Sequence, residues 1–171
     1  MKKILGIFGL SYLFVPLSPA ETRPRDDTFV VRSLVRPAAG GIALRWAVMG
    51  ARHRLQHPAC RGLFAEFHDA SGRTLQEKLD AMGETGDTYL ALVLFADGTG
   101  RPTCKAGGAF AVTTPRSRVV HICGRRFRDL AERSPVTAEA IVIHEVLHTL
   151  GLGENPPSSS EITSRVLARC R

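Results

Sequence analysis

The sequence predicts a small α+β domain: a mixed β-sheet, a long helix near the C-terminus and a short helix that closes the chain. Three observations carry that reading. Short runs rich in β-branched and aromatic residues, bounded by Gly, Pro and Asp, recur over the first two-thirds of the chain. The stretch from Pro135 to Leu150 follows a serine, begins with a proline, continues through apolar and helix-forming residues, and stops at Gly151. Ser158-Ser159-Ser160-Glu161 then has the pattern of a capping box, with Ser158 as N-cap of a last helix.

The elements follow in order. Lys2-Lys3, the mainly apolar stretch from Ile4 to Leu17, and Ser18-Pro19-Ala20 read as a secretory signal peptide over residues 1–20. The apolar stretch is shorter than the ~20 residues a membrane span needs. Residues 21–171 remain as a single domain, long enough to bury a core. Residues 21–27 read as an extended entry segment. Thr28 to Val35 is rich in β-branched residues and predicts a strand. Ile42, Leu44, Trp46 and Val48 alternate with Ala43, Arg45, Ala47 and Met49, which predicts a second strand after a turn at 37–41.

Leu63 to Asp69 fits a helix or a strand equally, and Ala70-Ser71-Gly72 ends it. Leu75 to Met82 predicts a short helix ending at Gly83. Tyr89 to Phe95 predicts a buried strand closed by Ala96-Asp97-Gly98. Gly108–Thr113 and Arg118–Ile122, on either side of Pro115-Arg116-Ser117, predict a hairpin.

The chemistry concentrates in His144-Glu145-Val146-Leu147-His148. In H-E-x-x-H the two imidazoles stand one helical turn apart on one face, where both can reach a single metal ion. Glu145 then lies beside that ion, placed to take a proton from water. Catalytic zinc has three protein ligands and an open fourth position, so a third donor is needed. Glu154 is one candidate and Glu161 the alternative. Glu161 also has a structural explanation in the capping box.

The run His144 to Glu154 reads H-E-x-x-H-x-x-G-x-x-E and resembles the metzincin signature, in which a glycine turns the chain and a third ligand follows. The resemblance covers about eleven residues. It implies a zincin-like metallopeptidase domain, with Zn²⁺ held by His144, His148 and Glu154 and with Glu145 as catalytic base. Glu154 stands where that family usually has His or Asp. The family's methionine-containing turn is missing, since Met1, Met49 and Met82 all precede the motif. Glu161 corresponds instead to the later glutamate of proteins that resemble gluzincins. The tract Gly153–Thr163 also resembles one in small bacterial secreted proteins with this motif. In zincins an edge strand above the zinc helix receives the substrate backbone, a role the resemblance gives to Gly107–Thr113.

Export gives the cysteines a meaning. Cys60, Cys104, Cys123 and Cys170 are even in number and widely spaced, which predicts two disulfides in an oxidising compartment. Four cysteines allow three pairings, and the sequence does not choose among them. The expected pairing is Cys123–Cys170, tying the last helix to the sheet, with Cys60–Cys104 left over. The formal charge of +7 becomes +5 once Lys2 and Lys3 leave with the leader. The arginines are scattered and lack the interleaved aromatics of a single-strand nucleic-acid surface.

The expectation is therefore a secreted or periplasmic monomer that hydrolyses a peptide or protein substrate. Nucleic acid is not expected as a partner, nor stable membrane insertion after leader cleavage. His121, on the strand before the zinc helix, is a candidate oxyanion stabiliser, and Tyr89 a weaker one. His53, His57 and His68 read as ordinary surface histidines. The alternative function is a secreted zinc-binding or interaction module without catalysis.

Overall fold

The computed structural model describes residues 29–171. The predicted leader and the entry segment at 21–27 lie outside the described residues. The fold is mixed α+β. Its sheet has four strands in the order β1-β2-β4-β3, built from β1 (Arg32–Ser33), β2 (Leu94–Asp97), β3 (Ala111–Thr113) and β4 (Val119–Ile122). β1, β2 and β4 run parallel, and β3 pairs antiparallel with β4 as the predicted hairpin. β3 is therefore an edge strand.

Helices make up most of the rest: α1 (Gly41–Leu55), α2 (Pro58–Arg61), α3 (Leu63–Glu66), α4 (Leu75–Met82), α5 (Gly86–Tyr89), α6 (Pro102–Ala106), α7 (Gly124–Arg133), α8 (Pro135–Leu150) and α9 (Ser159–Arg169). α8 is the centre of the packing. It touches α1, α7, α9, α4 and the β3–β4 hairpin, and every residue from Val142 to Leu150 is buried. Burial of Ile143, Val146 and Leu147 contributes on the order of 1.5–3 kcal/mol each.

Two predicted strands are overturned. The segment at 42–48 is the start of α1, not a strand. Its buried residues are Leu44, Ala47, Val48, Ala51 and Leu55, the spacing of one helical face, while Ile42 and Trp46 face solvent. The apparent alternation mixed two core residues with two surface residues. The run at 89–95 begins as α5 and a 3-10 turn at Leu90–Leu92, and only from Leu94 does it become strand. A continuous apolar run does not distinguish a buried helix from a buried strand, and here Thr85 and Thr88 form a helix-starting cap upstream. The first strand is shorter than predicted, and the ambiguous Leu63–Asp69 begins as α3.

Other expectations hold. α4 starts at Thr74 with a full capping box to Glu77 and ends at Gly83, whose φ is 67°. α8 spans the predicted residues and ends at Gly151 with φ 112°, the left-handed conformation that favours glycine. The predicted serine cap of α8 differs in detail: the Ser134 hydroxyl pairs with the Thr137 hydroxyl at 2.7 Å rather than with the backbone. The disulfides are Cys60–Cys170 and Cys104–Cys123, which corrects the expected pairing. α9 packs back against α2 and α3, which delivers Cys170 to Cys60. α6 lies by β3 and so brings Cys104 to Cys123, at the end of β4. Among the described residues no helix is long and apolar enough to cross a membrane.

Candidate metal centre

The site is built on the last two turns of α8. His144 and His148 lie one turn apart and both are buried, with Nε2 atoms 3.0 Å from one another. The end of the helix then places the third donor. Gly151 donates to the His148 carbonyl at 2.8 Å and Leu152 to the Leu147 carbonyl at 3.1 Å, the bond pair of a Schellman motif. That turn reverses the chain and sets Glu154 Oε1 3.7 Å from His144 Nε2 and 3.6 Å from His148 Nε2.

Among the described residues, His144, His148 and Glu154 form a group whose donor atoms lie within 4.8 Å of one another. Ligand atoms around a tetrahedral zinc, about 2.0–2.1 Å from the metal, stand about 3.3 Å apart. The observed separations of 3.0, 3.6 and 3.7 Å bracket that value. The outer nitrogens of both rings are already engaged. His148 Nδ1 donates to the Leu152 carbonyl at 2.8 Å, which fixes its proton there and leaves Nε2 as a free lone pair. His144 Nδ1 lies 2.9 Å from the Thr163 hydroxyl of α9. An N₂O donor set with anchored imidazoles could hold a divalent metal ion.

Glu145 points between α8 and the sheet edge. It is buried, and burial pushes its carboxyl up to about 7, with the nearby Glu154 charge adding and the facing Thr113 hydroxyl subtracting. Its Oε2 is buried without a hydrogen-bond partner among the described residues. An unpaired buried carboxylate oxygen is costly in a fold and is common where a group has a chemical task. Burial, and then the neighbouring His148, lower His144 to about 4, so that ring is neutral and ligand-competent near pH 7.

These groups open onto a cleft of about 930 Å³. One wall is the edge segment Gly108–Thr113 and the other is the hydroxyl face of α9, with Ser159, Ser160, Thr163 and Ser164. Among the described residues, the only acidic side chains lining it are Glu145 and Glu154, and no lysine or arginine does so. Phe110 accepts from Cys123 N–H at 3.0 Å, and the register pairs Ala111 with Ile122. Antiparallel alternation therefore turns the backbone N–H and C=O of Ala111 and Thr113 away from β4, toward the open edge.

Not every candidate reaches this cleft. Glu161 sits exposed in the first turn of α9, where its backbone N–H donates to Ser158 at 3.3 Å and its carboxylate pairs with Arg165 at 2.7 Å. It is not in the metal-ligating group. His121 pairs with Val112 across the hairpin, on the face opposite Ala111, Thr113, Val120 and Ile122. It lies against Gly98 and near Arg101, so the sheet separates it from α8. Tyr89 is a core residue with Arg118 stacked 5.7 Å from its ring. Thr163 and the Leu152 carbonyl were not legible as parts of the site, because both contacts depend on tertiary placement. No family model matches the chain, and neither a curated protein nor a solved structure matches it.

Proposed function

We infer that this chain is a secreted zinc-dependent metallopeptidase. The observation that carries the reading is the placement of a buried Glu145, one of its oxygens without a partner among the described residues, between a His144–His148–Glu154 donor set and an open strand edge. Metal binding alone has no use for that carboxylate. Bound zinc would supply a Lewis acid that polarises a carbonyl and acidifies water. The rest belongs to the chain. An extended peptide adds to the edge at Ala111 and Thr113, whose outward N–H and C=O groups pair with its backbone. Glu145 takes a proton from the attacking water and passes it to the leaving amine.

The two disulfides agree with a secreted or periplasmic location, where such bonds persist. The test is hydrolysis of an unbiased peptide library by the zinc-loaded protein and by Glu145→Gln. The variant keeps its zinc and loses about 10²–10⁴-fold in turnover. Zinc-loaded protein that cleaves nothing in the library would favour a non-catalytic zinc-binding module. Full activity in the variant would remove Glu145 from the mechanism.

A further inference from the structure

We propose that Thr163 is a positioning residue for the metal ligand His144, so that the C-terminal helix helps set zinc affinity. This rests on the zinc reading above. A ligating imidazole needs its outer nitrogen held, or the ring turns about its side-chain bonds and its tautomer is left open. His148 is held by a carbonyl of its own helix end, only four residues away. Among the described residues His144 has no such local partner. Its Nδ1 is met at 2.9 Å by the Thr163 hydroxyl, from a helix nineteen residues later in the chain.

α9 is placed for this by its own sequence. Ser158 caps its start, Ile162 and Val166 bury its inner face, and Cys170 anchors its end to Cys60. With Ile162 buried against the core, the next residue, Thr163, falls at the cleft wall over His144. A hydroxyl there accepts from Nδ1–H and leaves Nε2 free to face the metal. A methyl in its place keeps the volume and removes the hydrogen bond.

The experiment is zinc affinity by competition with a chromophoric chelator for wild type, Thr163→Val and Thr163→Ser. The melting temperature of each is measured in EDTA and with saturating zinc. Thr163→Val weakens zinc binding about 10–100-fold. Thr163→Ser, which keeps the hydroxyl, retains most of the affinity. In EDTA the valine variant melts with the wild type, and only with zinc does it fall behind. Wild-type affinity in Thr163→Val would overturn the proposal. So would a melting temperature lowered equally with and without zinc, since that reports a packing role. A wild type that binds no zinc would instead sink the metal-centre reading, and this inference with it.

Discussion

Glu154 and the two histidines reach the same point with different degrees of support. The His144 and His148 side chains are 4 % and 5 % exposed, whereas Glu154 is 42 % exposed. The rings are held by packing and by their outer nitrogens; among the described residues the carboxylate meets only the two rings. Glu154→Gln should therefore weaken zinc binding at least about tenfold, because a carboxamide is a poorer ligand. Glu161→Gln should leave zinc affinity alone and lose only the Arg165 ion pair, worth about 0.3–0.5 kcal/mol on an exposed helix. Competition titration of the two variants distinguishes them, and an equal loss in both would undo the assignment. At this scale the sequence was informative wherever a contact is local. The i, i+4 histidines and the glycine turn are legible because helix geometry alone relates them. His121 lies on the other face of the sheet because strand alternation, not position before α8, decides which face a residue takes.

At the scale of elements, the end of α8 is held from outside as well as by its own turn. Lys78 on α4 donates to the Leu150 carbonyl at 2.8 Å and pairs with Asp69 at 2.6 Å. The Arg116 N–H of the β3–β4 turn donates to the His148 carbonyl at 3.0 Å. A Cβ on Gly151 would meet only the flexible end of Lys78 closely, at 2.8 Å, so it is the φ of 112° that favours glycine at this corner. The Lys78 ammonium, then the Ser71 hydroxyl, hold the Asp69 carboxyl well below the usual carboxylate range. A carboxyl depressed in the folded state stabilises the fold above its unfolded pKa of about 4, and that contribution disappears as pH falls below it. Urea unfolding of wild type and Asp69→Asn should differ most near neutral pH, and the gap should close as pH drops from about 5 toward 2. A gap constant over that range would show that the ion pair is not linked to stability. The α4 helix in this buttress was legible from its capping box and glycine stop. The α1 helix was not, since its first turns carry exposed Ile42 and Trp46 that imitate a strand.

For the molecule as a whole, the predicted α+β class holds, while the connectivity around the long C-terminal helix differs. A mixed sheet, a central helix and a closing helix are present. The pairing of four cysteines depends on how α9 folds back over α2, which no local pattern encodes. Cys60–Cys170 closes the longer loop, with a separation of 110 residues against 19 for Cys104–Cys123. It thereby ties the wall carrying Thr163 to the body of the domain. On the function proposed above, this fold gathers one metal ion at the end of α8. Elemental mass spectrometry on the oxidised chain 21–171 and on its His148→Ala variant tests it most directly. One zinc per chain is expected, lost in the variant. A folded wild type that carries no zinc after loading would contradict it.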